Sequence, residues 1–254
     1  MQKNYPILEF DPARKALIDP HRISKPIDIP EHCVLCFFDE VISKLSQSGR
    51  AKRIARQFTT MGSHQVYQIE FEGKPAALFH PCAGAPLSAA LLEELIARGC
   101  NKFIACGGAG VLDSTIQVSE IIVPTVAVRD EGTSYHYLPP AREVEASPEA
   151  VLAIETVLKK HQISYRLAKT WTTDAVYRET PAKIKLRKSE GCAVVEMEAA
   201  AFFAVAKFRN VIFGQILYGG DDVGGKVWQS RNWTKETSTR ERLFWLALQA
   251  CLAI

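Results

Sequence analysis

No stretch of the 254 residues approaches the ~18 consecutive apolar residues of a membrane-spanning helix, and the opening Met1-Gln2-Lys3-Asn4-Tyr5-Pro6 has no apolar leader segment. Neither a membrane partner nor export is expected. Charge of one sign is scarce as well: 31 basic against 28 acidic residues leave a net +3. The densest basic cluster is Arg50, Lys52, Arg53 and Arg56, which does not call for nucleic acid. Metal-ligand pairs are missing, because the Cys33/Cys36 spacing is not followed by a second Cys/His pair; no metal and no cofactor are expected. The seven cysteines are odd in number and lie mostly in apolar runs such as Cys33-Val34-Leu35-Cys36 and Ala105-Cys106-Gly107. They read as buried reduced thiols and point to the cytoplasm. Internal repeats, low-complexity tracts and an interior Pro/Ser/Gly-rich linker are also lacking, so one main domain is expected.

What is present is a chain that is 47% hydrophobic, enough for a large core. Pro6, Pro12, Pro20, Pro26 and Pro30 mark residues 1–30 as an extended N-terminal arm, ahead of a domain over 31–254. The domain alternates. An apolar β-type run at His32–Phe38 precedes a helix capped by Asp39, and strands near Val66–Phe71 and Pro75–His80 flank a hairpin turn at Glu72-Gly73-Lys74. A helix with Leu87, Leu91, Leu92, Leu95 and Ile96 on one face ends at Gly99, and the strand Lys102–Cys106 runs into Gly107-Gly108-Ala109-Gly110. Strands at Glu120–Val128, Ser164–Thr172 and Asn210–Tyr218 follow, with helices at Pro148–Lys160, from Pro181, at Met197–Phe208 and from about Lys235. This alternation predicts an α/β fold.

In such folds ligands settle beyond the carboxyl ends of the strands. Gly84-Ala85-Pro86 opens a helix and Gly107–Gly110 follows a strand; as glycine turns, both would offer backbone N–H groups to an acceptor, or would serve the fold alone. Val194-Val195-Glu196-Met197-Glu198 sets two carboxylates between an apolar strand and an apolar helix, where burial is costly without partners. Glu196 reads equally as a helix cap and as a site residue. Glu198 is read as functional, because a carboxylate accepts two hydrogen bonds and a ribose diol supplies two adjacent donors. Tyr218-Gly219-Gly220-Asp221-Asp222 ends a strand in glycines holding two acids, and a partly buried carboxyl there could protonate a departing base. His136 reads as an ordinary partly buried histidine or as a residue near the sugar or base; Trp228, Trp233 and Trp245 read as packing, with Trp228 flanking the base as the alternative, and Arg240 and Arg242 as a solvated helix face.

Four segments, in order, resemble the nucleoside phosphorylase and uridine phosphorylase superfamily. Val195-Glu196-Met197-Glu198-Ala199-Ala200-Ala201 is similar to its V-E-M-E-[SAT]-A signature. Gly84-x-Pro86-x-Ser88 looks like its helix start, Gly107–Gly110 stands at its second glycine turn, and Thr172–Thr180 is similar to its S/T-x-D-x-F-Y segment. The resemblance implies a single-domain, three-layer α/β/α fold around a twisted mixed sheet, assembled as dimers or hexamers of dimers. It implies a nucleoside phosphorylase that uses inorganic phosphate as co-substrate and yields free base and ribose 1-phosphate. Glu198 would bind the ribose hydroxyls, with Met197 against the sugar and Glu196 in support; Asp221 would be the acid. Ala109, Gly110, Val176, Tyr177 and Arg178 would hold the base. Gly84, Ser88, Gly108 and an Arg56 lent by a neighbouring subunit would hold phosphate. The family's arginine and threonine phosphate ligands are replaced by Ala105 and Gly108. A phosphate-independent nucleosidase and a non-catalytic nucleoside-binding homologue are therefore the alternatives.

Overall fold

A computed structural model describes residues 2–254. Ten strands form one mixed sheet: β1 His32–Cys36, β2 Ala51–Thr59, β3 Gly62–Phe71, β4 Lys74–Phe79, β5 Lys102–Val111, β6 Ile121–Asp130, β7 Glu143–Glu145, β8 Tyr165–Thr173, β9 Cys192–Glu196 and β10 Ile212–Asp222. Seven α-helices accompany them: α1 Pro20–Ile23, α2 Asp39–Gln47, α3 Ala85–Arg98, α4 Pro148–Lys160, α5 Pro181–Ser189, α6 Ala199–Arg209 and α7 Thr237–Cys251. The order β10-β6-β8-β9-β5-β1-β4-β3-β2, with an additional β10–β5 pairing, closes β5, β10, β6, β8 and β9 into a ring and leaves β1, β4, β3 and β2 as an open wing. The α/β expectation holds, with closure of the ring as an added feature.

The apolar pattern explains the layers. Ile104, Cys106, Ile216 and Tyr218 pack with α2, α4 and α7 on one face, while Phe103, Ala105 and Phe213 pack with α3 and α6 on the other. Residues Ala199 to Ala206 of α6 are all buried, as an all-apolar helix requires. No described helix is long and apolar enough to cross a membrane.

Two strands, β2 and β7, and the short helix α1 are not expected from the sequence. β2 carries Lys52, Arg53 and Arg56 exposed on the outermost strand, where charge discourages edge-to-edge pairing, and its alternation breaks at an irregularity between Arg53 and Ala55. β7 is only three residues long. Two further expectations are corrected. Gly107–Gly110 is not a turn but the end of β5, and α6 begins at Ala199 rather than Met197, with Glu198 at its N-cap. Residues 2–30 hold one 3-10 turn at Pro6–Leu8 and the short α1, and are tied to the body by Ile27 N–H donating to Arg98 O (3.2 Å) and Ser24 Oγ to Glu94 (2.9 Å).

Candidate active site

β5 is the strand on which the site is built. One of its edges pairs with β1 as far as Cys106 and with β9 only from Gly110, so Gly107–Ala109 have no partner strand on that side. Phe37 N–H reaches Cys106 O (3.1 Å), which places the Cys106 carbonyl on the β1 side; alternation then sends the Gly108 N–H and C=O into the gap. A cavity of about 540 Å³ opens here. Its lining includes Phe37, Phe38, Gly107–Gly110, Met197, Glu198, Gln215, Tyr218, Asp221, Trp233 and Arg240. The location, past the strand ends where the sheet changes partners, is where open α/β sheets bind ligands.

Glu196 is consumed by the fold. Its Oε2 accepts from the N–H groups of Glu198 (2.7 Å) and Ala199 (2.6 Å), and its Oε1 from Thr172 Oγ1 (2.6 Å) and Thr170 Oγ1 (3.2 Å). Thr172 Oγ1 in turn accepts from Ala200 N–H (3.0 Å). These bonds satisfy the orphan donors at the start of α6 and make Glu196 the cap of that helix.

Glu198 has capacity to spare. Its side chain is 6% exposed, and one oxygen accepts the Gly84 N–H at 2.6 Å. Gly84, at φ +94°, is the N-cap of α3, a conformation that favours glycine. Burial, reinforced by the neighbouring Glu196 charge, pushes the Glu198 carboxyl up to about 8. Burial raises Glu196 too.

Asp221 accepts the Trp228 indole N–H at 2.7 Å, so the loop after β10 folds back onto the acid. Nearby Glu179 is raised to about 7 by burial, with the Asp221 charge adding to it. Ala109 and Gly110 lie on the cavity wall beside Asp221. Val176, Tyr177 and Arg178 do not: they form an exposed 3-10 turn, with Tyr177 97% exposed. Ser88 is buried and its hydroxyl donates to Cys82 O at 3.0 Å, a bond inside the α3 entry. Arg56 stands on the exposed edge strand with its guanidinium over Phe58, away from this chain's cavity. His136 is exposed and does not line the cavity.

Arg240 does not lie on the solvated face that its sequence position suggests. Its side chain is 13% exposed and is the one cation among the described residues lining the cavity. It bonds Glu40 Oε1 (2.9 Å) and Tyr218 OH (3.1 Å) and lies over the Phe38 and Trp233 rings. Trp233 likewise forms cavity wall besides packing α7. Gln215, also missed, is 1% exposed. Its Oε1 has no partner in the fold. A buried amide inside an apolar strand was a visible signal for it; nothing local marked Arg240.

The cavity thus brings together a buried carboxylate, an acid on a glycine-flanked strand end and unpaired backbone. The phosphorylase superfamily model matches residues 31–246, and the chain belongs to that superfamily. It is 27% identical over 157 residues to a uridine phosphorylase of Thermococcus kodakarensis, covering 62% of this chain and 56% of that protein. It is 27% identical over 157 residues to a guanosine phosphorylase of Halorubrum lacusprofundi, covering 60% and 64%. The matches thus span less than two thirds of these relatives. Among solved structures, a purine nucleoside phosphorylase of Toxoplasma gondii in complex with immucillin-H superposes with a TM-score of 0.75 at 19% identity, covering 88% of this chain and 91% of that one. An AMP nucleosidase of Bacteroides thetaiotaomicron gives 0.71 at 19%, covering 88% and 87%. These two likenesses concern the fold.

Proposed function

We propose that the chain is a nucleoside phosphorylase, cleaving the N-glycosidic bond of a nucleoside with phosphate to give free base and ribose 1-phosphate. The observation that carries this reading is Glu198, buried at the cavity, accepting the Gly84 N–H and able to accept more. Ionised, it accepts both ribose hydroxyls and fixes the sugar over the Gly108 gap, with Met197 against the ring. Phosphate oxygen forms the new bond to the anomeric carbon as the carbon–nitrogen bond breaks. The electron pair of that bond leaves with the base, which Asp221 protonates or hydrogen-bonds, beside Ala109 and Gly110. Positive charge on the sugar at the transition state is stabilised by the incoming anion and by Glu198. Acid assistance contributes roughly 10²–10⁴-fold.

Val176, Tyr177 and Arg178 contribute to base binding in this reading only if their exposed turn closes over the cavity. Arg56 is assigned to the cavity of a neighbouring subunit, which makes a homo-oligomer part of the proposal. Glu196 supports the site by fixing the backbone on which Glu198 stands.

A second reading, hydrolysis by water, is favoured by one specific observation. The cavity holds Glu196, Glu198 and Asp221 against a single guanidinium that already pairs with Glu40. A dianion entering that field meets like charge from each of these carboxyls that is ionised. Titrating phosphate while quantifying ribose and ribose 1-phosphate separates the two. Base release that rises with phosphate and yields ribose 1-phosphate supports phosphorolysis; ribose formed at a rate indifferent to phosphate refutes it.

A further inference from the structure

We propose that Arg240 is the cation that receives the phosphate in this cavity, held in place by Tyr218 across the space left open above Gly108. The inference rests on the phosphorolytic reading. On β5 itself, Ala105 and Gly108 offer neither charge nor hydroxyl. Gly108 does something else: a Cβ there would meet the Tyr218 ring at Cε1 (3.1 Å), Cζ (3.2 Å) and the hydroxyl (3.3 Å). A side chain at 108 and the tyrosine ring compete for one volume, and glycine gives it to the ring.

The Tyr218 hydroxyl accepts Arg240 Nε–H at 3.1 Å and donates to Trp233 O at 3.3 Å, so it works as a bracket for the guanidinium. Of the five guanidinium N–H groups, Nε–H is used by Tyr218, one on Nη1 by Glu40 Oε1 (2.9 Å) and one on Nη2 by Trp233 O (3.5 Å). One N–H on each terminal nitrogen remains for a ligand. The rings of Phe38 and Trp233 lie 5.6 and 5.5 Å from the guanidinium carbon, and with the three hydrogen bonds they fix the group, so little order is lost on binding. Gln215 is a separate sign that a polar ligand fills this cavity: its buried Oε1, left without a partner, is an acceptor that a ligand hydroxyl or N–H would satisfy, so it bears on the nucleoside rather than on the anion. Glu40 is a positioning residue: it orients Arg240 while reducing the net charge that the anion meets.

The test is calorimetric titration of inorganic phosphate into the full chain at constant ionic strength, without nucleoside, alongside steady-state kinetics in both substrates. Arg240→Met is expected to weaken phosphate binding by about 100-fold through loss of two charge-assisted hydrogen bonds, and Arg240→Lys by about tenfold because the charge stays but the fork goes. The phosphate KM should follow, and the nucleoside KM should stay within about threefold in both variants. Glu40→Gln is expected to retain or tighten phosphate binding. Phosphate affinity within about threefold of wild type in a folded Arg240→Met protein overturns the proposal; so does Glu40→Gln weakening phosphate as much as Arg240→Met, the mark of a purely structural pair. Wild-type base release indifferent to phosphate would refute phosphorolysis instead, and the direct titration would still decide whether Arg240 holds an anion.

Discussion

Replacing Glu198 with glutamine removes a charge while keeping shape, and it should move activity and stability in opposite directions. The amide retains an oxygen for the Gly84 N–H, which now lies at 2.6 Å from the carboxylate. It cannot act as a charged acceptor for two hydroxyls. Each charge-assisted bond is worth ~1.5–3 kcal/mol, so two give ~3–6 kcal/mol, and the amide keeps part of one. At 1.36 kcal/mol per decade, kcat/KM should fall by ~10²–10³. Stability responds otherwise. In the folded protein Glu198 titrates near 8 against an ordinary 4.5, so it retains a proton that the unfolded chain has released in between. Its contribution is fully present below about 4.5 and is lost as pH rises through 8. Glu198→Gln removes this dependence, and at pH 8–9 its Tm should equal or exceed that of wild type. The assays are kcat/KM for a ribonucleoside and its 2′-deoxy counterpart, with thermal unfolding at pH 5, 7 and 9. Wild type should prefer the ribonucleoside by roughly 10–100-fold, and the variant by much less, because the acceptor of the 2′-hydroxyl is weakened in it. Activity within about threefold of wild type, or an equal ribose preference in both proteins, refutes the argument.

The same carboxyl predicts that kcat/KM climbs about tenfold per pH unit below pH 8 and levels above it, since only the ionised form accepts the diol; a profile flat from pH 6 to 9 excludes Glu198 as the acceptor. Thr172→Val leaves Glu196 Oε1 and the Ala200 N–H each short of a buried partner, which should cost ~2–4 kcal/mol and lower Tm by roughly 4–15 °C by calorimetry; an unchanged Tm would mean that the cap is dispensable. Trp228→Phe frees Asp221 from its indole donor, and because Trp228 is 61% exposed the gain should be modest, a roughly 3–10-fold lower nucleoside KM in initial-rate assays; a raised KM would instead make Trp228 part of the binding surface. Gly108→Ala forces the buried Tyr218 ring to yield, and a Tm loss corresponding to ~1–3 kcal/mol should accompany a weaker phosphate KM; a variant unaltered in both would detach Gly108 from Tyr218.

What could be read in the chain was what the chain keeps local. Glu196 and Glu198 are bracketed by the apolar β9 and α6, so their burial follows from neighbours in sequence, and the helix-cap alternative for Glu196 was already visible there. Arg240 was illegible for the opposite reason. Its partners Glu40, Phe38 and Tyr218 lie far along the chain, and on α7 alone it looks like any charged position beside Arg242. The glycines of 107–110 are ambiguous in sequence because glycine marks both turns and crowded strands; Phe37 crowds Gly107, Tyr218 crowds Gly108 and Val195 crowds Gly110, all from other strands or their ends. Val176–Arg178 shows the limit of motif matching, since an exposed turn near the right strand end is not the same as a wall of the cavity. β2 hid because an edge strand rich in arginine carries no clean two-residue period.

The unpaired stretch of β5 between its two neighbouring strands has a bearing on how such a site can change over generations. A donor that belongs to the main chain is not removed by substitution at its own position, although a side chain there can crowd what surrounds it, as at Gly108. Side chains around it are free to be lost from one strand and regained from another while this main-chain seat stays in place.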